Sequence, residues 1–318
     1  MTKPIEDKLD KIPVVNILVK LLKTIKLPGL EGLSFYDLLE LYFIGIVKGA
    51  LTTRASSIAF SFFMALFPFL LFVLIVIPYV PIDDFKISFL QFLNSFLPPN
   101  TSDFFFQNIF ENVDQSQRGG LVSSVFLLSI VLMGNGVNAV FSGFENSYHE
   151  QLSRNVFRQY LYALGVALIL AFLLIFTIVV LGYFQIFAVQ KVLDTLEKRG
   201  YEVQSQSVFW FDIAKYLFFV IMVYLSTSTL YYFGTKEGRD SKFFSIGALF
   251  TTILIILTSY LFGIYIENFG QYNKLYGSIG ALLILLFYLW LNSNILLLGF
   301  ELNATIRLLR KKNIRNNE

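Results

Sequence analysis

The residues with the most chemical potential in this 318-residue chain are amides and carboxylates set in apolar surroundings. The stretch LWLNSNILLLGFELNA, residues 289–304, carries Asn292, Ser293, Asn294, Glu301 and Asn303 among leucines and aromatics. Similar groups recur at Asn135, Asn138, Glu145 and Asn146, and in the run STST at 226–229, which begins with Ser226 and Thr227. Such groups are costly in hydrocarbon, so in a membrane they should face one another or water. That is the chemistry of binding or of helix association. Chemistry of bond breaking has less to work with. The chain has one histidine, His149, and no cysteine. His149 sits at a loop edge and reads as a surface residue. No nucleophile–base pair and no metal-ligand spacing stands out. No catalytic residue, metal or cofactor is expected, and the chain reads as a non-enzyme.

The elements that must position these residues are legible in the composition. Hydrophobic residues make up 56% and charged residues 15%, against about 45–50% and about 25% in soluble domains. The excess is gathered into runs, and a bilayer core about 30 Å thick needs roughly 20 apolar residues in a helix. Six runs qualify, at about 55–77, 121–144, 156–189, 208–233, 243–266 and 276–300. The expected fold is an all-α polytopic membrane protein. It comprises a bundle of six transmembrane helices, N-terminal interfacial amphipathic helices and an outer amphipathic helical hairpin. Three segments follow: a basic amphipathic extension at 1–33, the membrane domain at 34–306 and a basic cytoplasmic tail at 307–318.

Orientation comes from the flanking cations. Eighteen Lys and Arg flank one side of the spans and six the other. The positive-inside rule then puts both termini in the cytoplasm. The sixth span runs inward, so Asn292 and Asn294 fall in its cytoplasmic half. Asn294 and Glu301 share one helical face, and Asn292, Gly299 and Asn303 share another. The other polar groups lie at the same depth. They form a candidate polar cavity of Asn135, Asn138, Glu145, Asn146, Ser226, Thr227, Asn292, Asn294, Glu301 and Asn303. Interhelical hydrogen bonding in a packed interior is the competing reading. Pro68, mid-way along the first span, is a candidate hinge, although membrane helices also tolerate proline without any such role.

Outside the spans, VVNILVKLLKTIK at 14–26 has the basic amphipathic pattern of a helix on an anionic surface. Lys20, Lys23 and, at the start of the first span, Arg54 are candidate interfacial cations. The same helix would also suit packing on the protein's own underside. Ser34 and Asp37 have capping-box spacing for a second such helix. The loop at 81–120 reads as a Phe-rich hairpin, either a lid or a structural cap.

Three stretches resemble the YihY/BrkB family of bacterial inner-membrane proteins. They are RASSIAFSFFMALFPFLLF at 54–72, GVNAVFSGFENSY at 136–148, and YGSIGALLILLFYLWLNSNILLLGFELNA at 276–304. The last is the most specific, through Tyr276, Gly277, Ser278, Gly299, Glu301, Leu302 and Asn303. The resemblance spans roughly 35–310. It implies six transmembrane helices and a multi-pass location in the bacterial inner membrane. Members have been linked to serum resistance, envelope lipid export and solute uptake. An older family name, ribonuclease BN, finds no support in the residues, and the cations are explained by topology without nucleic acid. The expected function is a transporter or lipid-translocating protein of the envelope. Its partners would be membrane lipids, with a lipid or small polar solute as substrate. The alternative is a non-transporting scaffold or assembly protein acting through the outer hairpin or the basic surface helix.

Overall fold

The computed structural model describes residues 13–26, 34–76, 119–145, 147, 155–183, 205–235, 242–269 and 278–317. The outer hairpin, Asn146 and His149 lie outside the described residues. Eight helices are described: α1 (Pro13–Thr24), α2 (Phe35–Lys48), α3 (Leu51–Val76), α4 (Gly119–Glu145), α5 (Val156–Tyr183), α6 (Ser205–Gly234), α7 (Ile246–Phe269) and α8 (Ser278–Asn317). Among the described residues six helices are long and apolar enough to cross a membrane. Their crossing segments are Leu51–Leu70, Phe126–Glu145, Val156–Leu181, Ile213–Gly234, Ile246–Tyr265 and Leu282–Arg310. The protein is an all-α polytopic membrane protein. Helix satisfies every interior backbone group within its own segment, which hydrocarbon demands.

The six long helices close into a ring in chain order. Each of α3 to α7 packs on the next, and α8 returns to pack on α3. Large apolar side chains such as Phe60, Leu128, Phe172, Ile253 and Tyr260 point outward and stay exposed, as lipid-facing groups do. The interior holds Ile58, Val140, Phe141, Phe144, Leu297 and Phe300, all essentially inaccessible. Alternation puts the starts of α3, α5 and α7 and the ends of α4, α6 and α8 at one end. The flanking cations Arg54, Lys242, Arg307 and Arg310 mark it as the basic end.

Helices α1 and α2 lie at this end. Ser34 and Asp37 form the capping box: the Ser34 N–H donates to Asp37 Oδ2 at 2.8 Å, and the Asp37 N–H to Ser34 Oγ at 3.3 Å. Lys20 and Lys23 of α1 are exposed, and Lys23 Nζ lies 5.0 Å from the centre of the Tyr36 ring of α2. Leu38 of α2 packs on Leu309, with Leu302 and Ile306 beside them. Helix α8 therefore continues without a break across the boundary expected at 306/307. The apolar spacing of 302, 306 and 309 explains why: it offers α2 a stripe at helical period. Between α2 and α3 the chain turns at Ala50, whose φ of 47° is left-handed. Its carbonyl accepts the Thr53 and Arg54 amides and starts α3. Helix α3 runs uninterrupted through Pro68.

Candidate functional site

Arg54 sits one turn into α3, where its side chain reaches inward. Its Nη2 lies 2.6 Å from Glu301 Oε1 on α8, and both side chains are buried. Its Nη1 donates to the Gly143 carbonyl of α4 at 2.7 Å. The second carboxylate oxygen of Glu301 accepts the Ser147 hydroxyl at 2.8 Å. One ion pair thus ties α3, the end of α4 and α8 together. The charges are desolvated, so each depends on the other for compensation. Arg54 is therefore not an interfacial cation. Its depth at a helix start matches that of Glu301 at the opposite helix's end, and pairing outweighs exposure to water.

Tyr42 of α2 lies within electrostatic reach of Glu301. Its hydroxyl is buried with no hydrogen-bond partner among the described residues. Burial pushes its ionisation well above the ordinary tyrosine range, and the Glu301 carboxylate adds to the shift.

A second knot joins α6, α7 and α8. The Tyr231 hydroxyl meets Thr251 Oγ1 at 2.5 Å and donates to the Leu296 carbonyl at 2.6 Å. The Gly247 N–H donates to Asn303 Oδ1 at 2.8 Å, and Asn303 Nδ2 donates to Ser245 Oγ at 2.8 Å. Such contacts need closely spaced backbones. A Cβ on Gly299 would overlap Thr251 Oγ1, and one on Gly247 would overlap the Gly299 carbonyl. Phe144 and Phe300, both buried, stack at 4.2 Å between centroids, and Tyr231 meets both edge-on.

An apolar recess of about 320 Å³ lies between α3, α4, α5 and α8. Phe62, Ala65, Gly136, Ala167, Ala171 and Leu289 are among its walls. Its small residues leave the space, and its wall offers almost nothing polar.

The ten residues expected to share a polar cavity divide. Glu301 and Asn303 hold the two knots. Thr227 lies 3.2 Å from Thr252 Oγ1 and is buried. Asn292 and Asn294 turn back on their own helix, donating to the carbonyls of Tyr288 at 2.9 Å and Trp290 at 2.7 Å. Ser226 donates likewise to the Met222 carbonyl. Asn138 and Glu145 are half-buried. Asn135 is exposed on α4, so it does not join the others. Its glycine neighbours Gly134 and Gly136 take the packed positions instead, and helical geometry turns residue 135 away. Sequence reasoning missed Tyr42, Tyr231, Gly247 and the pairing of Arg54 with Glu301. The signal available was one cation and one anion at matching depth, each bordering an apolar run, 55–77 or 276–300, that holds no charge of its own.

Fold and site together define a six-helix membrane bundle with a buried ion pair and stacked aromatic rings toward its basic end. The family model for virulence factor BrkB matches residues 45–318, and the chain belongs to that family. Among its relatives is the putative ribonuclease-like protein YfkH of Bacillus subtilis (strain 168), 25% identical over 81% of this chain and 91% of that one. A UPF0761 membrane protein of Aggregatibacter aphrophilus (strain NJ8700) is 23% identical over 85% of this chain and 92% of its own. Another, from Coxiella burnetii (strain RSA 493 / Nine Mile phase I), is 26% identical over 80% and 87%. No solved structure matches the chain.

Proposed function

We propose that the protein translocates a lipid across the bacterial inner membrane, with its basic end and both termini in the cytoplasm. The apolar recess between α3, α4, α5 and α8 carries this reading. Its wall suits an acyl chain and offers a small polar solute no hydrogen bonds. Phe62 on that wall is eight residues from Arg54, so roughly 12 Å along α3 separate the recess from the ion pair. The pair and the Phe144–Phe300 stack then act as the closed cytoplasmic gate. An ionisable pair inside a membrane bundle is by default a functional candidate. The residues act by binding and gating; no enzymatic step, cofactor or nucleic acid is invoked.

The scaffold reading retains one specific support. Asn292, Asn294 and Ser226 are satisfied by their own helices, as in a packed bundle with no passage. Reconstitution separates the two. Proteoliposomes carrying head-labelled fluorescent phospholipid are treated with an impermeant quencher. The translocation reading expects faster loss of inner-leaflet signal than in protein-free vesicles, and slowing when Ala171→Trp fills the recess. No acceleration for any phospholipid class would favour the scaffold.

A further inference from the structure

A second recess, of about 290 Å³, opens at the basic end between the start of α7 and the last turns of α8. Lys242, Arg307 and Arg310 line it, and among the described residues no carboxylate does. Its floor is Asn303 and Ser245, already bonded to each other. Phe244, Ile246 and Ile306 complete the wall. Lys242 and Arg310 are exposed, and so are Phe244 and Ile246. From Ile246 an outward apolar track continues along α7 through Leu249, Ile253 and Leu257. The start of α7 also presents the positive end of its helix dipole here.

The charge-bias rule accounts for cations at this end of the chain, but not for three of them converging on one concave wall. Guanidinium groups match phosphate oxygens in bidentate geometry. Basic pockets between membrane helices at this level suit anionic headgroups. We infer that this recess binds the phosphate of an anionic phospholipid, with an acyl chain lying on the α7 track. The site is distinct from the apolar recess in the ring and stands whether or not the protein moves lipid. The phosphate chemistry would be shared by a free anion. The apolar rim continuous with the α7 track is what selects the lipid.

The test is a titration of the detergent-solubilised full chain with dioctanoyl phosphatidic acid, in parallel with dioctanoyl phosphatidylcholine and inorganic phosphate. The expected order is phosphatidic acid well ahead of the other two. Replacing both Lys242 and Arg310 with Gln should weaken phosphatidic acid binding about tenfold or more. The matched change Lys20→Gln with Lys26→Gln removes the same charge from exposed positions outside the recess and should shift it by less than about twofold. Equal losses in both variants would mean a diffuse field and overturn the site. Equal binding of phosphatidylcholine would leave only the apolar contact and overturn the phosphate assignment. Full competition by inorganic phosphate at the same concentration would make the ligand a free anion and overturn the lipid assignment. Because the readout is binding, its failure is separable from any failure of translocation.

Discussion

At the residue scale the molecule turns on Arg54 and Glu301. Breaking a buried pair from one side leaves an uncompensated charge, which costs about 3–5 kcal/mol. Glu301→Gln should therefore lower stability by that amount in chemical unfolding from detergent micelles. Replacing both residues with Met should recover most of it, since the lost attraction is offset by the desolvation no longer required. Asn294 is the contrast. Its only described bond is to its own helix, so Asn294→Leu should cost less than about 1 kcal/mol in the same assay. It should also leave lipid flux unchanged. Tyr42 makes a pH prediction. Its folded ionisation is raised by burial and by Glu301, so the folded state holds the phenolic proton that the unfolded chain releases at about pH 10. Stability is intact below that pH and falls as pH rises through the window above it. Tyr42→Phe should flatten the alkaline limb of a melting-temperature profile while changing little near neutrality.

At the scale of elements the α7–α8 contact depends on two glycines. Gly247 and Gly299 allow a backbone approach that any Cβ would block. Gly299→Ala should separate the helices, break the Tyr231–Thr251 and Asn303–Gly247 bonds, and abolish recovery of folded protein in size-exclusion chromatography. Gly165→Ala is the control. Among the described residues nothing lies within 4 Å of the place its methyl group would take, so it should be neutral or gain up to about 1 kcal/mol from helix propensity. These elements were largely legible in the sequence. Six apolar runs of sufficient length became six helices, because hydrocarbon leaves the backbone no alternative. Ser34 and Asp37 announced the start of α2 through short-range bonds that depend on spacing alone. The site was less legible. Depth follows from counting along a helix, but rotation does not when every face is apolar. Asn135 thus turned outward while Gly136, next to it, packed on Ala65. The back-bonding of Asn292 and Asn294 was equally hidden, since an amide in a helix can satisfy itself at i−4. Arg54 and Glu301 are 247 positions apart, and only the closure of α8 on α3 brings them together.

At the scale of the whole molecule, the ring carries a buried ion pair toward its basic end and an apolar recess between α3, α4, α5 and α8. Membership of the BrkB family places this architecture alongside bacterial membrane proteins such as those of Coxiella and Aggregatibacter. Lipid translocation requires that the apolar recess hold a lipid chain. Native mass spectrometry of the full chain, purified in mild detergent, tests this most directly. The wild type should retain a phospholipid that survives detergent exchange, and Ala171→Trp should lose it while remaining folded. A wild type that flies bare, or a variant that keeps the same lipid in the same amount, would contradict it.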